Sequence, residues 1–345
     1  GDAGLELGVG YDVVLDVDGD GRLSNTDLID GFGAEPGFLV ARDPLGSGPL
    51  AVTEVDYFVT GVKVGFEGQN TFYPTNIASL GQLPLVIVSH GNGHNYTWYD
   101  HIGTHLASWG FVVMSHENDT QPGVNAASLT TLDHTDAFIG QLGTIVGGVL
   151  DGHVDTSRIF WIGHSRGGEG IVIAYDRLFD GNYVPQFYSI SDIVGLSSIA
   201  PTVFNGAGDS TPHGVPFHLW TGASDSDVNG CAGSPVTHTF QLHERATGDH
   251  YSIYLHGAGH GVFHNGTGGT FATGPCLISR PRCHEIMRGQ LLPLVQLLMY
   301  GNLAAEDFLW RQYEAFAPPS LTPDPCVAAS MTYQRRTQPR FVVDD

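Results

Sequence analysis

Short apolar runs recur along the chain at intervals long enough to hold a helix between successive pairs. Leu83–Ser89, Phe111–Met114, Arg158–Ile162, Ile193–Ile199, Val215–Gly222 and Tyr251–His256 are mostly apolar and do not alternate with polar residues. Runs of this length read as strands buried on both faces, the pattern of a parallel sheet covered by helices. Strand-like segments precede them at Val52–Val59, Val62–Phe66 and Thr71–Pro74. A helix is expected to end with Leu106-Ala107-Ser108-Trp109-Gly110, a second to fill residues 126–150 despite interior glycines, a third to open at Arg166, and an apolar one to span Ile286–Met299. The alternation predicts an α/β fold with a mostly parallel central sheet and helices on both faces. Residues 36–50 are rich in Gly and Pro and read as a connector, dividing an N-terminal segment, 1–47, from a large domain, 48–345.

Composition narrows the partners. The 345 residues carry 14 Lys and Arg against 36 Asp and Glu, a formal charge of −22, which repels nucleic acid and anionic membranes. Lys63 is the single lysine. No apolar run is long enough to span a bilayer, so no stable membrane insertion is expected, and nothing in the pattern calls for more than a monomer. The chain opens at Gly1 with no basic, apolar leader, so a processed form is expected. Four cysteines, Cys231, Cys276, Cys283 and Cys326, form no C-x-x-C pair, which argues for disulfides and an exported protein over a thiolate metal site. Loop positions favour Cys231 with Cys276 and Cys283 with Cys326.

Candidate chemistry gathers at the ends of the buried runs. Gly163-His164-Ser165-Arg166-Gly167 has the form G-x-S-x-G between a strand and a helix, which exposes a serine hydroxyl on a tight turn. Helix N-terminal amides beside it can hold a developing oxyanion. The earlier run Leu83–Ser89 delivers His90-Gly91-Asn92-Gly93, where a second oxyanion donor is expected: the backbone N–H groups of Asn92 and Arg166 would form the pair. Asp225 follows the strand ending at Gly222, and His260 sits in a glycine-flanked loop after the next, giving the order Ser165, Asp225, His260. Asp227 is the alternative acid; His256 and His264 are alternative bases. A guanidinium at Arg166 could brace the turn by pairing with Glu169. His101 and His105 lie four apart but lack the glutamate and third ligand of a zinc site, so surface or capping roles are expected.

One motif lies outside this set. Asp16-Val17-Asp18-Gly19-Asp20-Gly21-Arg22 and Asp27 fit a calcium loop, with oxygen ligands expected from Asp16, Asp18, Asp20, the Arg22 carbonyl and Asp27. Aspartate at the twelfth position in place of glutamate resembles dockerin loops. A single copy points to a structural clip and away from attachment to a scaffold partner.

Gly48-Pro49-Leu50-Ala51-Val52, Phe72-Tyr73-Pro74, Ser89-His90-Gly91-Asn92, Leu106–Val113 and Gly163–Gly168 together resemble the α/β-hydrolase superfamily. Within it the chain more narrowly resembles bacterial cutinases and polyesterases, with their relatives among platelet-activating-factor acetylhydrolases and chlorophyllase-like esterases. The resemblance implies a secreted serine carboxylic ester hydrolase that works through an acyl-enzyme with no catalytic cofactor, calcium being structural only. Lipase, phospholipase or polysaccharide-linked esterase activity fits the same residues, and a calcium-dependent binding protein with an inactive hydrolase fold is the alternative of another class. Cutinases carry aromatic residues where this chain has Asn92 and Thr202, so Tyr96, Trp98 and Phe204 are candidates to line the substrate site beside Thr202.

Overall fold

The computed structural model describes residues 10–30, 37–40, 42–228, 239–311, 326 and 329–337. Nine strands form one sheet: β1 (Val52–Phe58), β2 (Gly68–Pro74), β3 (Leu83–Ser89), β4 (Val112–His116), β5 (Val154–His164), β6 (Ile193–Ile199), β7 (Phe217–Gly222), β8 (His250–Leu255) and β9 (Ala329–Gln334). Their order across the sheet is 1-2-4-3-5-6-7-8-9. The five central pairings, from β4–β3 to β7–β8, are parallel; β1–β2, β2–β4 and β8–β9 are antiparallel. This is the α/β-hydrolase fold.

The buried runs are continuous because each strand faces two cores. In β5, Ile159 and Trp161 enter one core while Phe160 and Ile162 enter the other; β3 divides Leu85 and Ile87 from Val86 and Val88 in the same way. The first core is closed by α2 (Val124–Gly140) and α3 (Arg166–Phe179), through residues such as Leu132, Phe138, Ile171 and Val172. The second is closed by α1 (Asp100–Ser108) and, after the short α4 (Phe240–Arg245), by α5 (Arg280–Tyr300), through Ile102, Leu106, Met287 and Leu291. Truncating a fully buried strand residue such as Trp161 to alanine would cost about 3–5 kcal/mol.

Two expected elements differ. Residues 62–66 turn between β1 and β2 instead of forming a strand, and Val64 is exposed. The helix expected over 126–150 ends at Gly140, where a Cβ would lie 2.4 Å from the Phe187 ring, and the chain then bends through Val146 and Gly147 at positive φ. The cysteine pairing is also corrected: Cys276 bonds Cys326, with Cα atoms 5.5 Å apart. Cys283 is a free thiol, since the first turn of α5 turns it into the core. Cys231 lies outside the described residues.

The N-terminal segment pairs as two short ribbons, Gly10–Tyr11 with Phe38–Leu39 and Val14–Leu15 with Leu28–Ile29. Strands, not helices, therefore bracket the acidic loop, unlike the helix-loop-helix of an EF-hand. Among the described residues no helix is long and apolar enough to cross a membrane.

Candidate active site

Ser165 joins β5 to α3 with φ 56° and ψ −122°, a conformation that a non-glycine residue adopts only when its surroundings compel it. Its N–H donates to the Ile199 carbonyl at 2.9 Å, and its own carbonyl accepts from Glu169 and Thr202 N–H at 3.2 and 3.3 Å. The flanking glycines are required by contact. A Cβ on Gly163 would stand 2.3 Å from the Gly167 carbonyl oxygen, and one on Gly167 would stand 2.4 Å from that of Ser89. The start of α3 thus presses directly onto the ends of β3 and β5.

Asp225 and His260 meet across 35 residues of sequence. His260 Nδ1 lies 2.8 Å from Asp225 Oδ2, while Asp225 Oδ1 accepts from the Asp227 and Val228 N–H groups at 2.8 Å each. Both side chains are buried. The carboxylate, fully used as an acceptor, fixes the proton on Nδ1 and leaves Nε2 as the basic nitrogen. Asp227, the alternative acid, is exposed and lies 3.6 Å from Nε2, on the wrong side of the ring to orient it. Of the alternative bases, His264 accepts from Gly266 N–H at 3.0 Å, and its ring stacks on Trp98; His256 follows β8 directly and does not line the cleft described next.

A cleft of ≈ 290 Å³ is lined by Ser165 and His260 together with Asn92, Arg166, Thr202 and Phe204. Gly91 packs so closely that a Cβ there would lie 2.7 Å from Ser165 Cβ, bringing the Asn92 turn against the serine. The N–H groups of Asn92 and Arg166 have no acceptor among the described residues. Two unpaired amides beside a serine and a carboxylate-bound imidazole are the components of acyl transfer.

Other expected site residues fall elsewhere. Tyr96 is buried beneath Gly68 with its hydroxyl donating to Asp56 at 2.9 Å, and Trp98 is covered by His264 and Gly266; neither lines the cleft. Glu169 does not pair with Arg166. It is buried and accepts from Phe204 N–H, Asn205 N–H and the Thr202 hydroxyl, with burial raising its pKa, whereas Arg166 donates to the Thr120 carbonyl and covers the Phe204 ring. His105 is buried, as are both ring nitrogens of His101, which stacks on His284, so these are not surface histidines.

Sequence reasoning missed His94, His164, Val228 and Phe271. His94, Val228 and Phe271 line the cleft, and Phe271 is 55% exposed there. The rings of His94, His164, His260 and His264 lie 4.4–6.3 Å apart in five pairs, and the Tyr99 hydroxyl bridges His94 and His164 at 3.1 Å each. Burial, reinforced by neighbouring histidines, pushes His94 down to about 2 and His164 well below its ordinary range, and burial brings His264 to about 4. His260 therefore sits among neutral imidazoles at neutral pH. The spacing His90-x-x-x-His94 beside the oxyanion turn was the available signal.

In the acidic loop, Asp16, Asp18 and Asp27 come together, with carboxylate oxygens within 4.8 Å of one another. Asp20 is not among them; its carboxylate accepts from Arg22 N–H at 2.7 Å.

Residues 40–178 match a family model described as PETase, PET hydrolase-like. The match takes in β1 to β5, the oxyanion turn and the elbow, and stops before Asp225 and His260. No curated protein matches the chain. With the sheet order, the match supports the α/β-hydrolase superfamily.

Proposed function

We propose that this protein is a secreted serine carboxylic ester hydrolase of the cutinase and polyesterase type. The observation that carries the reading is the meeting of Ser165, on its strained turn, with the Asp225–His260 pair in one cleft. His260 Nε2 takes the Ser165 proton as Oγ attacks the ester carbonyl; the Asn92 and Arg166 amides hold the oxyanion; Asp225 stabilises the imidazolium. The imidazolium then protonates the leaving alcohol, and water repeats the sequence on the acyl-enzyme. Phe204 and Phe271, both exposed on the cleft wall, give an acyl or aryl group apolar surface to lie against, beside Thr202.

Ser165→Ala tests the chemistry. The folded variant is expected to lose hydrolysis of p-nitrophenyl butyrate and labelling by a fluorophosphonate. Parent-level turnover in that variant would end the proposal, and a parent protein inert to both reagents would favour the inactive binding fold instead.

The acidic loop suits a structural calcium ion held by Asp16, Asp18 and Asp27, hard oxygen donors on an exposed turn, remote from the elbow in sequence. EDTA is expected to lower the melting temperature without changing kcat; an identical melting curve would count against calcium.

A further inference from the structure

The two residues proposed as oxyanion donors both tie their side chains to a single loop. Asn92 Oδ1 accepts from Gln121 Nε2 at 2.5 Å and from the Thr120 hydroxyl at 3.2 Å. Arg166 Nη1 donates to the Thr120 carbonyl at 2.7 Å. The loop that makes these contacts follows β4 and is itself anchored. Asn118 donates from its side chain to Ser89 Oγ and the His90 carbonyl, both at 2.8 Å, donates its backbone N–H to His90 Nε2 at 2.9 Å, and accepts from the Thr130 hydroxyl at 2.6 Å. Asp119, buried, forms an ion pair with Lys63, and its other oxygen accepts from Gln121 N–H at 3.2 Å. The chain's single lysine is spent on this anchor.

We propose that residues 118–121 are a brace that sets the separation of the two oxyanion donors, with Gln121 and Thr120 as positioning residues acting through Asn92 and Arg166. The inference rests on the ester hydrolase reading of the same cleft. Its physical ground is the tolerance of the site. An amide stabilises developing charge only at about 2.7–3.1 Å from the oxyanion, and a misplacement of about 1 Å can cost about 100-fold in rate. Arg166 is held by its place in α3, whereas Asn92, exposed between Gly91 and Gly93, lies in a turn whose Gly91 carbonyl accepts from His94 N–H at 3.1 Å. The side-chain bonds to Gln121 and Thr120 add a restraint on Asn92 itself and refer it to the same loop that Arg166 grips.

Gln121 is exposed, so Gln121→Leu removes one bond with no packing change. In the full chain, with p-nitrophenyl butyrate, kcat is expected to fall about 10-fold with KM within twofold and the melting temperature unchanged. Affinity for an alkyl boronic acid, whose tetrahedral adduct on Ser165 sets an oxygen where the oxyanion would form, should fall by the same factor as kcat. Adding Thr120→Val should deepen both losses together. A Gln121→Leu protein with parental kcat and boronate affinity, or one altered in KM alone, overturns the brace while the parent's turnover leaves the hydrolase reading standing. A parent without turnover or fluorophosphonate labelling overturns both.

Discussion

Around Ser165 the constraint is steric: five consecutive residues, two of them glycines with backbone oxygens 2.3–2.4 Å from where a Cβ would be, seat the turn between β5 and α3 against the end of β3. Asp225 and His260 are held instead by backbone contacts to one loop. Phe271 accepts from the N–H groups of both Ser226 and His260, Asp225 bridges Ala272, and the loop that carries Phe271 and Ala272, which follows His260, runs on to the Cys276–Cys326 bond. Ser165, the proposed nucleophile, is thus part of the sheet's packing, whereas the proposed base and acid, His260 and Asp225, are held by a stapled loop. A site divided this way has two modes of failure: the elbow should fail by misfolding, and the stapled loop by losing alignment while the sheet stays intact.

After loss of Ser165 itself, Asp225→Asn should give the largest effect on chemistry. The amide oxygen can still accept from Asp227 and Val228 N–H, but its NH₂ then faces His260 Nδ1 and favours the wrong tautomer, so kcat should fall on the order of 10⁴-fold. Stability should change far less than activity. Gly167→Ala should do the reverse, costing about 1–3 kcal/mol or more as α3 is pushed off Ser89. Denaturant unfolding and single-turnover kinetics on both variants measure the contrast; equal losses of stability in the two would erase it.

The same division explains what could be read from the chain alone. The elbow, the oxyanion turn and the doubly buried strands follow from short-range pattern, because two-sided burial demands unbroken apolar runs and backbone contact demands glycine. Asp225 and His260 were legible only as residues just past strand ends. The cysteine pairing was not legible, since it depends on where Cys326 comes to rest and on Cys283 turning inward on α5. Tyr96 and Trp98 sit close in sequence to Asn92, yet hydrogen bonding to Asp56 and stacking under His264 draw them out of the cleft. Phe271 lies 67 residues beyond Phe204 in sequence, and only the fold brings the two to one wall.

Breaking the Cys276–Cys326 bond is the next test in size. Closing a loop across 50 residues contributes about 2–4 kcal/mol, so Cys326→Ser should lower stability by that order. The loss should be uneven. Amide exchange is expected to quicken first between residues 257 and 276, with β3, β5 and α3 still protected, and activity on heating should vanish before the sheet melts. Uniform loss of protection would mean that the two halves of the site form one cooperative unit after all.

The smallest effect concerns pH and belongs to the elbow half. His90 donates from Nδ1 to the Gly91 carbonyl at 2.8 Å and accepts at Nε2 from Asn118 N–H at 2.9 Å, so a second proton has no acceptor to meet. Burial brings its pKa down to about 4. In the unfolded chain the value is about 6.5. Between those two values the unfolded state binds the proton and the folded state does not, so the stabilisation is complete above about pH 6.5 and is lost as pH falls toward 4, at about 1.4 kcal/mol per pH unit. His90→Gln removes that titration. Urea unfolding at pH 7 and pH 5 should therefore differ by about 2 kcal/mol less in the variant than in the parent. An unchanged difference would mean that the proton is taken up elsewhere, and that the neutral His90–Asn118 contact contributes nothing to the acid sensitivity of the oxyanion turn.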